Sequence, residues 1–346
     1  MVSRSDPWDT KNVLVTGVAG TVGGEVARQL AECNVRSMIG VDNNESALFF
    51  VEHRFSNQRN FTFALADIFD MNSLIALMEG VDIVIHAAAL KHVSICETAP
   101  RSAIRTNILG TQNVIQAASQ ASVERVLFTS SDKAVNPTNV MGTSKLMAER
   151  LITAANAQSR SGRTIFGSSR FGNVLGSRGS VIPLFKQQIA AGGPLTLTDP
   201  TMTRFIMTLT DAVKLVMHSV FLLKGGEVFV TKMPVCRIED LAIVMIEELA
   251  PAYGHDPKDI EIKHIGPKPG EKFYEELMNE EEIRRALELE EHFVIVPALK
   301  SNNVVEYEYP GMANRRPALP YNSKTAEPMS REALRGFLLA NQFLDG

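Results

Sequence analysis

A chain of 346 residues, 45% hydrophobic and 21% charged, has a globular composition and is long enough for about two domains and a sizeable core. Its formal net charge of −4 offers no basic footprint, which argues against a nucleic acid partner. No apolar run nears the roughly 20 residues of a membrane span, because Asp82 and His86 interrupt the best candidate.

The first predicted element is a strand over 12–17, an apolar run (Val13, Leu14, Val15) that ends in Gly17, Gly20 and Gly23. A helical pattern through Val26 and Leu30 follows, and a second strand, 37–42, closes on Asp42. Strand, glycine turn, helix, strand and terminal acid compose a dinucleotide-binding unit. The glycines let the backbone turn sharply and let a pyrophosphate approach the free N–H groups of the helix start. Asp42 falls about twenty residues after the last glycine, where a carboxylate accepts both adenosine ribose hydroxyls. No arginine follows it (Asn43, Asn44 and Glu45 do), so NAD is favoured over NADP.

Further strands are predicted at 61–67, 81–88, 125–131 and 163–170, with helical segments between them. This alternation predicts an α/β fold with a doubly wound parallel Rossmann sheet. Asp67 ends the third strand, where a carboxylate suits an adenine amino group. Ala87, Ala88 and Ala89 follow His86 at the end of the fourth; small side chains there let the backbone lie against a cofactor or pack tightly on a helix.

Beyond about residue 172 the alternation breaks into Gly- and Pro-containing turns, short strands (195–198, 226–231) and helices near 209–223 and 238–250. The expected division is an NAD-binding domain over 1–171 and a smaller, partly interleaved α/β domain over 172–346, with 209–231 the segment that can return to the main sheet. A helix over Ser330 to Phe343 is a plausible closing element. The start of the chain has no apolar core of a signal peptide, and Cys33, Cys96 and Cys236 are odd in number and widely spaced, so a cytoplasmic location is expected. The seven histidines form no metal-ligand spacing, and no metal is assigned.

The fifth strand ends in Ser130-Ser131-Asp132-Lys133. Strand ends of such a sheet face the ligand crevice, so these side chains belong where substrate meets cofactor. Met141 and Lys145, four apart at a helix start, share one face.

Here the chain resembles the extended short-chain dehydrogenase/reductases, which mostly carry Tyr-x-x-x-Lys on this helix and Ser or Thr on the preceding strand. Ser131 and Lys145 match; Met141 stands where Tyr is expected, and a thioether cannot exchange a proton. Ser131, Asp132 and Lys133 beside it favour relocated proton chemistry over a dead enzyme. The segments 88–93, 106–111, 170–180, 202–205 and 268–272 resemble the nucleotide-sugar 4,6-dehydratases of bacterial capsule, flagellin and glycoprotein glycan synthesis. Some members with the same Tyr-to-Met change are active.

The resemblance implies UDP-N-acetylglucosamine or a close relative as substrate, NAD as cofactor, C5 retention and a homo-oligomer. Hydride leaves C4, a base takes the C5 proton, the C6 hydroxyl leaves as water and the hydride returns to C6. Asp132 is then the acid and Lys133 the base, with Ser131 on the C4 oxygen and Lys145 on the nicotinamide ribose. A lysine base needs a pKa near about 7–8, which burial and a nearby cation such as Lys145 can supply. Lys133, Asp132 or a bridging water could take the C4 hydroxyl proton. The implied cofactor set is Gly17, Gly20, Thr21, Val22, Gly23, Asp42, Asn43, Asp67, Ile68, Ala87, Ala88, Ala89, Lys91, Asn107 and Lys145. The implied substrate set is Lys91, His92, Asn173, Arg178, Ser180, Val181, Arg204, Lys268 and Glu271, with the arginines on the diphosphate and Glu271 on the nucleotide ribose. A 4-epimerase, which would be expected to keep the Tyr, and a silent NAD- and nucleotide-binding regulator are the alternatives.

Overall fold

The computed structural model describes residues 6–158, 163–176, 180–267, 270–298, 305–313 and 316–345. Six parallel strands come from the first half: β1 (Asn12–Thr16), β2 (Ser37–Asp42), β3 (Phe61–Leu65), β4 (Ile83–His86), β5 (Arg125–Thr129) and β6 (Ile165–Arg170). They lie in the order β6-β5-β4-β1-β2-β3, each within two residues of its expected bounds. After β3 the chain crosses back to place β4 on the far side of β1. The strand order reverses there, and a crevice opens outside the carboxyl ends.

β1, β4 and β5 form because their central residues are apolar on both faces, as a sheet covered on two sides requires. Val13 and Val15 pack into one core cluster with Val26, Leu30, Val213 and Val216; Leu14 points the other way, among Val84, Val114, Val126 and Phe166. The period of two in side-chain direction thus divides one strand between two cores.

The second half returns to the sheet twice. Val228–Thr231 pairs parallel with β6. His292–Ile295 and Ala286–Glu288 then add two antiparallel strands at that edge, completing nine. Sequence patterning does not anticipate this pair, which makes the sheet mixed at one edge. A separate core gathers Phe185, Leu195, Leu241, Met245, Leu334 and Leu338, so the closing helix Arg331–Ala340 packs on helix Ile238–Leu249. Three small sheets complete this part: Thr203–Met207 with Asn173–Val174 and Val235–Arg237, Leu195–Leu197 with Ile262–His264, and Glu276–Met278 with Tyr321–Asn322.

Arg170, at the end of β6, is 1% exposed. Its guanidinium grips Glu149 of helix Val140–Gln158 (2.6 and 2.7 Å), Glu282 (2.8 and 2.9 Å) and the Leu277 carbonyl (3.1 Å). One side chain therefore ties the sheet, a helix and the segment after residue 275 together. Among the described residues, no helix is long and apolar enough to cross a membrane.

Candidate active site

The glycine turn joins β1 to α1 (Thr21–Leu30). Gly17 has φ +71°, and a Cβ there would stand 2.7 Å from the Ala88 backbone. A Cβ on Gly23 would stand 2.2 Å from the Gly17 carbonyl. Only glycine allows this approach, which leaves the start of α1 open; Gly20, its N-cap, makes no side-chain cap. Asp42 turns back on the loop, accepting from the Ala19 N–H and the Asn44 N–H, each at 3.0 Å. Beneath the turn, His86 bridges Thr16 (2.7 Å) and Thr111 (3.0 Å); burial, then the Lys145 charge, lowers its pKa to about 3.

A cleft of about 1080 Å³ runs from this turn along the strand ends. Ser131, Asp132, Lys133, Met141 and Lys145 all line it. Gly142 explains how helix and strand end meet: a Cβ there would lie 2.2 Å from the Lys133 carbonyl. Lys145 is buried, donates to the Thr129 carbonyl at 3.0 Å and lies over the Phe128 ring. Burial lowers its pKa to about 8, against the raising effect of Glu149. Met141 is buried and packs with Cys96 and Ala103.

Asp132 is 3% exposed and accepts from Ser131 Oγ at 2.8 Å and from Lys133 Nζ at 3.1 Å. Lys133 Nζ also donates to Asn173 Oδ1 at 3.3 Å. Burial works against both charges, yet each stabilises the other. The Lys133 ammonium and the Ser131 hydroxyl hold the Asp132 carboxyl below its ordinary range. Burial favours the Lys133 amine, but Asp132 and Glu275 outweigh it, and the pKa lies above the ordinary lysine value. The sequence expectation of a lowered Lys133 is therefore not met in this state. The nearby cation is Arg204, not Lys145.

The opposite wall comes from Arg204 and Glu271. Arg204 is 8% exposed, and its N–H groups reach the carbonyls of Thr203 (2.8 Å), Lys272 (2.8 Å) and Phe273 (3.2 Å). Its Nε lies 3.4 Å from Glu275 Oε1, and Nη2 lies 3.8 Å from Glu271. Its fork is thus committed to holding residues 271–275 and does not stand open for a diphosphate. Lys272 Nζ donates to the Val135 carbonyl at 2.8 Å, stitching that segment to the loop after Lys133.

Glu275 is the group that sequence reasoning missed. It is 5% exposed and 3.6 Å from Lys133 Nζ. It lines a second cavity of about 620 Å³, which shares Asp132, Lys133, Asn173 and Arg204 with the cleft. Its only sequence signal is the apolar pair Leu277-Met278 that follows.

Of the other expected residues, Gly17, Gly20, Thr21, Val22, Gly23, Ala87, Ala89, Lys91, His92, Asn173, Ser180 and Val181 line the cleft. Asp42, Asn43, Asp67, Ile68, Ala88 and Asn107 do not. Asp67 lies 3.8 Å from Arg105, Ile68 is buried, and Asn107 is buried beneath Leu90, bonding both its N–H (2.8 Å) and its carbonyl (3.0 Å). Arg178 and Lys268 lie outside the described residues. Ser130 Oγ and Ser180 Oγ are buried without a hydrogen-bond partner among the described residues, and both residues line the cleft. Away from it, His218, Glu291 and His292 gather ligand atoms within 4.8 Å of one another. The His218–Glu291 pair, at 4.0 Å, is wider than the roughly 3.4 Å between ligands of one tetrahedral zinc.

A glycine turn, an open helix start and a cleft across the strand ends define a nucleotide-binding α/β protein of the extended short-chain dehydrogenase/reductase type. The chain belongs to the family described as polysaccharide biosynthesis protein, which matches residues 13–297, within the nucleotide-sugar dehydratases and epimerases. It is 48% identical to an uncharacterized membrane protein of Methanocaldococcus jannaschii over 98% of both chains. It is 38% identical to an inverting UDP-N-acetylglucosamine 4,6-dehydratase of Campylobacter jejuni over 85% of each, and 36% identical to a UDP-glucose 4-epimerase of Rickettsia rickettsii over 96% and 97%. It spans 46% of a longer capsular polysaccharide biosynthesis protein of Staphylococcus aureus, at 43% identity over 79% of this chain. The crystal structure of Pen from Bacillus thuringiensis superposes with a TM-score of 0.90, at 42% identity over 98% of this chain and 100% of that one. A dTDP-glucose 4,6-dehydratase from Streptomyces venezuelae, solved with NAD, shares the fold at 22% identity, with a TM-score of 0.66 over 76% and 86%.

Proposed function

We propose that this protein is a 4,6-dehydratase that converts UDP-N-acetylglucosamine, or a close relative, to a 4-keto-6-deoxy sugar with NAD as its cofactor. The observation that carries the reading is the Asp132–Lys133 pair, 3.1 Å apart on the cleft wall beside Met141. A 4-epimerase manages a proton at the C4 oxygen alone. Loss of water also requires a base at C5 and an acid at C6, and this wall carries one of each.

NAD fits the residues present: the cradle at Gly17 and Gly23 is closed to any side chain, and Asp42 stands at the end of β2. When bound, it accepts the hydride from C4 and returns it to C6. Thr21 and Val22 line the helix start, and Lys145 reaches the nicotinamide ribose. Ser131 holds the C4 oxygen. Moving one proton along the 3.1 Å Nζ–Oδ2 hydrogen bond turns the ion pair into an amine and a carboxylic acid, with no change in net charge. The amine of Lys133 then takes the C5 proton, and Asp132 protonates the departing C6 oxygen. Lys91, His92 and Asn173 border the sugar, and Glu271 takes the nucleotide ribose. Arg204 acts as a brace for 271–275.

The test is incubation with UDP-N-acetylglucosamine, followed by mass spectrometry. Loss of one water is expected; an unchanged mass overturns the reading. A second reading, a 4-epimerase, draws support from the Rickettsia relative and predicts unchanged mass with an altered C4 centre. Proton NMR of the dehydrated product reads C5: retention is expected, and inversion would align it with the Campylobacter relative.

A further inference from the structure

Glu275 has no place in the scheme above, yet it is a buried acid 3.6 Å from Lys133 Nζ. Its backbone is fixed on both sides by Ser323, whose Oγ accepts from the Glu275 N–H (2.9 Å) and whose N–H donates to the Glu275 carbonyl (2.8 Å). Ser323 in turn bonds Thr203 through its hydroxyl at 2.9 Å. The carboxyl is consequently held still. Oε2 accepts from the Phe205 N–H at 3.3 Å, and Oε1 lies 3.4 Å from Arg204 Nε and 3.6 Å from Lys133 Nζ. Among the described residues, the other charged and titratable groups around it include Asp132 from the β5 end, Cys236 from strand Val235–Arg237, and Glu271, Lys272 and Glu276 from its own segment, with His92 and Glu97 across the second cavity.

Two acids and two cations thus share one buried cluster, and its charge state turns on whether Glu275 carries a proton. Burial, then the Asp132 carboxylate, push the Glu275 carboxyl up to about 7, against the pull of Lys133 and Arg204. It therefore changes charge close to neutrality, where Asp132 stays ionised. Glu275 does not line the main cleft, so it reaches the sugar only through its neighbours.

Resting on the dehydratase reading, we propose that Glu275 is a positioning residue that acts through Lys133. Ionised, it gives the Lys133 ammonium a second carboxylate and locks it; protonated, it leaves Lys133 with Asp132 alone and lets the amine form. The exchange balances with solvent: Glu275 gains one proton at Oε, and Lys133 then loses one from Nζ.

The test compares the full-length wild type with Glu275→Gln, an isosteric side chain that cannot ionise. The readout is the Lys133 Nζ titration, followed by NMR of lysine-labelled protein and assigned with Lys133→Ala. Losing one nearby carboxylate should lower the Lys133 midpoint by about one pH unit. The acid limb of kcat/KM should move down by the same amount, a shift that a merely structural residue would not produce. Glu275→Asp, which retreats from Nζ, should fall between the two. A Lys133 midpoint that matches wild type in folded Glu275→Gln overturns the proposal; if that variant does not fold, an unmoved midpoint in Glu275→Asp does so. The midpoint is read without turnover. A shift in a protein that dehydrates nothing supports the charge link while the dehydratase reading falls.

Discussion

One wall of the cleft comes from consecutive strand ends between Gly17 and Lys145; the opposite wall comes from Arg204 and Glu271, with Glu275 behind it on a second cavity, and no short motif joins the three. Their lysines mark the difference. Lys145, wholly within the first wall, meets a carbonyl and an aromatic face, and burial lowers its pKa to about 8. Lys133, half-buried and facing the second wall, meets two carboxylates and is pushed above the ordinary lysine value. Burial alone does not set the state of a lysine; the partners that arrive from distant sequence do.

The largest expected effect breaks the link between the walls at its centre. Lys133→Ala should lower kcat for dehydration by a factor of about 1,000, while C4 hydride exchange persists if oxidation survives. Full turnover in that variant would take Lys133 out of the mechanism. Arg170→Met comes next, because it strands Glu149 and Glu282 as buried, unpaired acids. It should cost about 3–5 kcal/mol of unfolding free energy in a urea melt, and a change under 1 kcal/mol would mean that the walls are joined elsewhere.

Acid should separate the walls. His86 lies under the glycine turn and is neutral when folded, whereas the unfolded chain protonates it near 6.5; its contribution is complete above that pH and is lost as pH falls towards 3. Glu275 runs the other way, since its folded pKa is raised: its penalty grows as pH rises from about 4.5 to 7. Between pH 6.5 and 5, hydrogen-exchange protection should fall in β1 and β4 and rise around 275–277. Each proton is worth at most about 1.4 kcal/mol per pH unit. Equal changes on both sides would count against the contrast. The smallest effect is Met141→Leu. A volume-conserving apolar swap at a site with no proton role should keep kcat within about tenfold, and a larger fall would give the thioether a chemical part.

The first wall was legible because its chemistry is local. Gly17, Gly20 and Gly23 sit at fixed offsets from an apolar run, and Ser131, Asp132 and Lys133 follow another directly. The second wall was not. Glu275 stands among Glu271, Lys272 and Glu276, a stretch that reads as a solvated charge run, and its burial depends on Ser323 and Phe205. The expectation that Arg204 grips phosphate failed to foresee its carbonyl partners, because backbone acceptors carry no sequence signature. The antiparallel pair at 286–295 was hidden for a related reason: Leu-Glu-Leu-Glu-Glu-His is too polar to read as a sheet member until Val228–Thr231 offers it an edge.

All nine strands of the large sheet are complete by Ile295, and the family match ends at 297. Ser323, the strut behind Glu275, comes later in the chain than both. A version stopping after the sheet would lose Ser323, and with it both hydrogen bonds that fix the Glu275 backbone. The position of one buried acid beside Lys133 is therefore held by residues that follow the whole sheet in the chain.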